Sequence, residues 1–326
     1  MTDHIAGLLG VEPAGIIYTS GASESNNLAI KGIAQASRNT GRHMISTVLE
    51  HASVGGTLTA LQQQGWEVDL LDIQRDGTID LEQLGDLLRK DTILVSVCAV
   101  DSELGTVQPI RKITEILKDF PNCRLHVDAT QAIGKTELVM DGVDTMSIAP
   151  HKFYGLNGSG LLLKKSSLII EPQTHGGSST TPYRSGTPAL ALAVSIEKAL
   201  QLTLTQQEER IRYVRQLNEY LKTALLHYPA VRINSPEGAV PHILNLSVQG
   251  LKGTVFQRVL SERGVCVSVK SACSAEGTPS KAVFAVSGDR KNALSSWRVS
   301  LSHLTTREEL DEFLQVFDQC YKELGP

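Results

Sequence analysis

Asp128 ends an apolar run, Leu125-His126-Val127-Asp128, and Lys152 follows 24 positions later, after a second apolar stretch from Met146 to Ala149. A carboxylate at the tip of a buried strand costs roughly several kcal/mol unless it finds a partner. A protonated ring nitrogen is one such partner; a helix N-terminus or an arginine is another. A lysine drawn out of solvent between apolar strands has a lowered pKa and a more nucleophilic amine. An acid and a lysine at the ends of successive strands suit pyridoxal 5'-phosphate (PLP). The lysine forms a Schiff base with the cofactor, and the acid keeps the pyridine nitrogen protonated so that the ring draws electrons.

Other residues fit that chemistry, each with a plainer explanation beside it. Thr19-Ser20-Gly21-Ala22-Ser23-Glu24-Ser25-Asn26-Asn27 follows an apolar run and opens a helical one. Its small residues let backbone N–H groups reach a phosphate, aided by the helix dipole; an ordinary capped helix start explains it too. Gln131 offers an amide to the PLP phenolate oxygen or to solvent. His51, after Glu50 at the end of another apolar run, is placed to stack on a flat ring and shuttle protons, or serves the local structure. Gly155-Leu156-Asn157-Gly158-Ser159-Gly160 does not match G-x-G-x-x-G and leads into a strand, which excludes a dinucleotide loop. Cys273 lies in a small-residue loop, Ser271 to Pro279, where nearby Lys270 favours the thiolate; the alternative is an incidental loop cysteine. Arg298, in Ser296-Trp297-Arg298-Val299-Ser300, presents a planar fork for a substrate carboxylate, or lies in solvent on a strand face. Arg184-Ser185-Gly186-Thr187 is a further candidate anion-binding turn.

The elements that must hold these residues alternate. Strands are expected at Ile16–Thr19, His43–Thr47, Val68–Leu71, Ile93–Cys98, Leu125–Asp128, Met146–Ile148 and Leu161–Leu163, with helical patterns such as Leu81–Lys90 and Ile113–Phe120 between them. That alternation argues for an α/β fold with a mainly parallel, helix-covered sheet, whose ligands gather beyond the carboxyl ends of the strands. Glu197 to Leu226 reads as one long helix. Beyond it come strands at His242–Val248, Val265–Val269 and Trp297–Leu301, and helices near Thr254–Arg263 and Arg307–Leu324. The expected division is a large domain over 1–206 and a smaller C-terminal α+β domain over 207–326.

The chain's 326 residues are enough for two such domains. A net charge of −4 gives no basic footprint for nucleic acid, and no apolar run has membrane-span length. The five cysteines are odd in number, widely spaced and without C-x-x-C, which argues against a disulfide framework or a zinc site. A reducing cytoplasm is expected. Cys98, Cys123 and Cys266 read as core.

Taken in order, TSGASESNNLAIKG (19–32), LEHASV (49–54), HVDATQAIGK (126–135), PHKFYG (150–155), RSGT (184–187), SACS (271–274) and WRVSLSHLTTREEL (297–310) resemble the cysteine desulfurases of the NifS/IscS type. These belong to the class V aminotransferase branch of the fold-type I PLP enzymes. The resemblance implies a seven-stranded sheet in the large domain and the following roles. Lys152 is the Schiff-base lysine, Asp128 pairs with the pyridine nitrogen, Gln131 with the phenolate oxygen, and His51 stacks on the ring. Ala22, Ser23 and His151 bind the phosphate, with Thr187 reaching in from a second subunit of a homodimer. Arg298 holds the carboxylate of L-cysteine. Cys273 takes the sulfur as a persulfide, leaving L-alanine, and passes it to an acceptor protein of iron–sulfur assembly or tRNA thiolation.

The sequence departs from the family in three ways. It begins about 50 residues late; Ser102 in Asp101-Ser102-Glu103 stands where an asparagine contacts cofactor and substrate; and Ala149 replaces a phosphate-binding serine. Two other readings therefore stay open. One is another class V PLP enzyme, an aminotransferase or selenocysteine lyase, in which Cys273 is dispensable. The other is a degenerate homologue of low activity, or a sulfur-carrier partner.

Overall fold

Short apolar runs become seven strands of one sheet in the computed structural model, which describes residues 1–178, 180–270 and 277–325. They are β1 (Ile16–Thr19), β2 (His43–Thr47), β3 (Glu67–Leu71), β4 (Thr92–Cys98), β5 (Arg124–Asp128), β6 (Thr145–Ile148) and β7 (Gly160–Lys164). Their order across the sheet is β1-β7-β6-β5-β4-β2-β3. Every pairing from β6 to β3 is parallel, and β7 runs antiparallel to both its neighbours. Hence β1, β2, β4, β5 and β6 all finish at the same end of the sheet. β4 and β7 are buried along their whole length, as strands covered on both faces must be.

The first six helices lie before, between and after these strands: α1 (Thr2–Leu9), α2 (Ala22–Ala36), α3 (Ala52–Gln62), α4 (Leu81–Leu87), α5 (Ile110–Leu117) and α6 (Leu190–Thr205). α5 shows why they form. Ile110, Ile113 and Leu117 recur at helical spacing and are its buried residues. α4 is started by Asp80, whose Oδ1 accepts from Glu82 N and Gln83 N at 3.0 Å each. α2 packs its apolar face with Ile17, Met44, Leu94 and Leu162 of the sheet in one buried cluster.

The expected single helix over 197–226 is two. α6 ends at Thr205, Gln206 leaves helical geometry, and α7 (Gln207–Leu225) begins at once. The break coincides with a division of the chain into two compact units. The first holds 1–72, 79–100 and 108–206; the second holds 73–78, 101–107 and 207–326. The two short excursions are invisible to a sequence reading because they leave the unit that surrounds them in the chain and join residues that come only after position 206.

The second unit contains α7, β8 (Val231–Ile233), β9 (Ile243–Val248), α8 (Gly253–Ser261), α9 (Lys281–Ser287), α10 (Arg290–Ser295), β10 (Ser296–Ser300) and α11 (Arg307–Leu324). Its three strands pair antiparallel in the order β10-β9-β8. Trp297, Phe256 and Phe317 are fully buried at its centre, and the Trp297 and Phe256 rings stack at 5.4 Å. A capping box starts α11: Thr306 Oγ1 accepts from Glu309 N and Glu309 returns the bond to Thr306 N. The strand expected at Val265–Val269 is absent from the named strands; only Ser268 pairs, with Arg298, as an isolated bridge. Cys98 and Cys123 are buried as expected, but Cys266 is exposed, because the single bridge beside it builds no covering ladder. No helix among the described residues is long and apolar enough to cross a membrane.

Candidate active site

Four strand ends deliver the candidate residues of the first unit to the carboxyl end of the sheet. β5 delivers Asp128, paired in register with Cys98 of β4 and Ser147 of β6. The side chain is buried. Its Oδ1 accepts from Thr130 N at 3.0 Å, and its Oδ2 accepts from the Asn26 amide at 2.8 Å. The partner is neutral, neither an arginine nor a helix terminus.

β1 leads to Gly21, the N-cap of α2, at φ 156° and ψ 175°, a region that only glycine enters freely. No side chain among the described residues caps this helix end. Ala22 and Ser23 are its first two residues, and the first intrahelical bond runs from Ser25 N to Gly21 O at 3.1 Å. The N–H groups ahead of it carry the positive end of the helix dipole. Gly160 of β7 backs the turn: a Cβ there would lie 2.6 Å from Gly21 Cα and C. Ser23 is exposed and Ala22 half-buried.

β2 leads to Glu50 and His51. His51 is the half-buried N-cap of α3. Its Nδ1 accepts from Ser53 N at 3.1 Å and lies 2.9 Å from Ser53 Oγ, which places the proton of the neutral ring on Nε2. Glu50 Oε1 accepts from Cys98 N at 2.8 Å and from Thr47 Oγ1 at 3.0 Å. Burial pushes the Glu50 carboxyl up to about 8; the bond from Cys98 opposes the rise and the charge of Asp128 adds to it.

β6 leads through the buried Ala149 to a single 3₁₀ turn, Pro150–Lys152, that carries His151 and Lys152. Phe153 N and Gly155 N both donate to Pro150 O, at 2.9 and 2.8 Å, and the buried Phe153 ring anchors the turn. Tyr154 sits at φ 72°, the left-handed region that non-glycine residues rarely adopt. The expected desolvation of Lys152 is not met: Lys152 and His151 are both exposed, because the turn projects past the strand end instead of lying between strands. Burial, then the neighbouring Lys152 charge, lowers the His151 pKa and favours its neutral form.

Gln131 Oε1 accepts from Lys135 Nζ at 2.7 Å, so its amide N–H₂ is the end left to donate elsewhere. Thr187 is exposed and lines a cavity of about 180 Å³ with Thr19, Ser20, Ser159 and Arg184 of its own chain. Arg184 Nε donates to Glu24 Oε1 at 2.8 Å, which uses one of the five donors of its guanidinium. Burial works against the Glu24 charge, yet the bonds from Arg184 and Ser20 outweigh it and hold this carboxyl below its usual range.

Ser102 and Arg298 belong to the second unit. Arg298 lies on β10, half-buried, and its Nη1 donates to Ser102 O. It is not a solvated strand-face arginine: burial lowers its pKa, while Glu103 and Asp101 oppose that. Asp101, fully inside, builds the turn by accepting from Glu103 N and Leu104 N on Oδ1. Burial pushes its carboxyl up to about 7, against the bond from Leu104. Lys270, expected to act on Cys273, donates to Thr278 O at 3.0 Å and Thr278 Oγ1 at 2.6 Å. Cys273 lies outside the described residues.

Sequence reasoning missed Asn26, His126 and Glu50 as parts of the first unit's site, and Asp101 as the residue that builds the Ser102 turn of the second. One signal was available: His126 and Asp128 are two apart on a buried strand, so both point to one face and demand a polar partner there.

A profile of the family described as aminotransferase class-V matches residues 1–313. A NifS/IcsS protein homolog of Lactobacillus delbrueckii subsp. bulgaricus is 39% identical over 325 residues, 98% of this chain and 84% of that protein. The cysteine desulfurase IscS of Dictyoglomus turgidum is 34% identical over 327 residues, 99% of this chain and 83% of its own. Among solved structures, a NifS-like protein superposes with a TM-score of 0.93 at 31% identity, covering 99% of this chain and 86% of that one. SspA in complex with cysteine superposes with a TM-score of 0.81 at 30% identity, covering 94% of this chain and 86% of that one. The chain therefore belongs to the class-V aminotransferase family, among its NifS/IscS-type members.

Proposed function

We propose that this protein is a cysteine desulfurase that takes sulfur from L-cysteine onto Cys273 and uses PLP to do so. The observation that carries the reading is Asp128, a buried carboxylate at a strand tip with two neutral hydrogen-bond donors and no cationic side chain bonded to it among the described residues. A protonated ring nitrogen supplies the charge that such a carboxylate wants. The uncapped start of α2, with bare glycine at positions 21 and 160, suits a phosphate group. Similarity to relatives named cysteine desulfurase supports the substrate.

When bound, PLP supplies an aldehyde for amines to condense with and a ring that withdraws electrons. The roles of the chain's own residues follow from their chemistry. Asp128 holds the proton on the ring nitrogen. Backbone N–H groups of Ala22 and Ser23 and the imidazole of His151 bind the phosphate, joined by Thr187 of a second copy in a homodimer. His51 flanks the ring with its Nδ1 already committed to Ser53, and the Gln131 amide donates to the phenolate oxygen. Lys152 Nζ tethers the cofactor, then takes and returns the α-proton of the substrate. Arg298 holds the substrate carboxylate and Ser102 lies beside it. The Cys273 thiolate attacks the substrate sulfur. The S–S bond forms, the Cβ–S bond breaks, and its electron pair takes a proton at Cβ to give L-alanine. The persulfide on Cys273 then passes to an acceptor protein.

The test is an alanine and sulfide assay with L-cysteine and added PLP. Lys152→Ala is expected to lose at least ~10²-fold in turnover, the lower range for a general base, and Cys273→Ala to stop alanine formation. Undiminished alanine from Cys273→Ala contradicts the persulfide route.

A further inference from the structure

One buried amide joins the two groups assigned above to the ring nitrogen and the ring face. Asn26 lies on α2 with no exposed surface. Its Nδ2 donates to Asp128 Oδ2 at 2.8 Å and to Ser53 Oγ at 2.9 Å. A carboxylate only accepts, so the amide nitrogen must face Asp128, and Oδ1 must face His126. His126 Nε2 lies 3.0 Å from that oxygen and therefore carries a proton. Its Nδ1 then accepts from Thr145 Oγ1 at 2.9 Å. Burial favours this neutral form and lowers the His126 pKa to about 4, although Asp128 opposes it. Ser53 Oγ, having accepted from Asn26, gives its own hydrogen to His51 Nδ1. A single arrangement of protons satisfies all six side chains, and Asn26 spends both amide hydrogens and its oxygen in it.

We propose that Asn26 is a positioning residue for the cofactor, coupling Asp128 to His51 through Ser53 and leaning on the neutral His126. The inference rests on the PLP reading above. Asn26 reaches the ring only through its neighbours. Its two donated bonds fix the rotamer of the carboxylate and turn the Ser53 hydroxyl onto His51 Nδ1, which also accepts from Ser53 N. Without it, Asp128 keeps only the Thr130 bond, and His126 Nε2–H loses its acceptor inside the protein.

The test measures the dissociation constant of PLP for the apoprotein and the absorption maximum of the bound cofactor, with circular dichroism of each apoprotein as a check of folding. Asn26→Leu, close in volume and unable to donate, is expected to fold and to weaken PLP roughly tenfold or more, the value of about one hydrogen bond to a charged group. Ser53→Ala is expected to weaken it by a smaller factor and to shift the absorption maximum. The double variant is expected to be no weaker than Asn26→Leu, because the serine acts through the amide. A folded Asn26→Leu with wild-type affinity and spectrum overturns the inference. Should Asn26→Leu fail to fold, Ser53→Ala decides: unchanged affinity and spectrum there overturn it equally. Failure of the wild type to bind PLP removes the PLP reading itself, and the inference with it.

Discussion

Glu50 carries the site's least comfortable atom. Oε2 is buried, and no hydrogen bond reaches it among the described residues, while Asp128 presses a like charge upon it. The carboxyl therefore keeps its proton in the folded protein up to about 8, against an ordinary value of 4.5. An acid whose pKa is raised by folding stabilises the native state fully below the unfolded value. That contribution is lost as pH rises through the folded one. Wild-type apoprotein should thus lose stability relative to Glu50→Gln between pH 5 and pH 8, by on the order of 1–3 kcal/mol. Denaturant melts of both proteins at the two pH values measure this, and an equal difference at both contradicts it. The same proton keeps negative charge from accumulating beside Asp128, where the cofactor reading needs one carboxylate and not two.

Elements decide how close groups approach. Gly160 opens β7 against the Gly21 turn, with Thr19 paired to it across the strands. Gly160→Ala would drive a methyl to 2.6 Å from the Gly21 backbone. The turn must shift, at a cost of roughly 1–3 kcal/mol, and the first turn of α2 moves with it. Lower apoprotein stability together with weaker PLP binding is the expected outcome. Thermal melts and a cofactor titration check it, and wild-type values in both would contradict it. The elements around this contact were legible in the sequence: β1, β2 and β5 fall within one residue of the apolar runs that suggested them. Short buried strands are unbroken apolar runs bounded by polar residues, so the signal is local. The failures were non-local or weak. Gln206 breaks the long amphipathic stretch where the chain changes unit, which periodicity does not register. Val265–Val269 looks like a strand but pairs at one residue only. α9 and α10, of 7 and 6 residues, are too short to show a helical period.

At the scale of the molecule, the sheet collects side chains from segments that begin at residues 19, 47, 128 and 148 and brings them to one end. The acid and the lysine were legible because each follows an apolar run directly. Asn26 was not, since its bond to Asp128 spans 102 positions and an asparagine on a helix reads as ordinary. The exposure of Lys152 was not foreseen either, because a 3₁₀ turn after a strand looks in sequence like the strand's continuation. Arg298 and Ser102 were legible as a pair only through their family pattern, and the hydrogen bond between them joins segments 196 positions apart. The reading turns on a cofactor held between the tip of β5 and the turn after β6. Borohydride reduction of the PLP-loaded protein, followed by peptide mapping, reports on it: a pyridoxyl label is expected on Lys152, and its loss in Asp128→Ala at limiting PLP. A label on some other lysine, or full labelling of Lys152 in Asp128→Ala at that same PLP concentration, would contradict it.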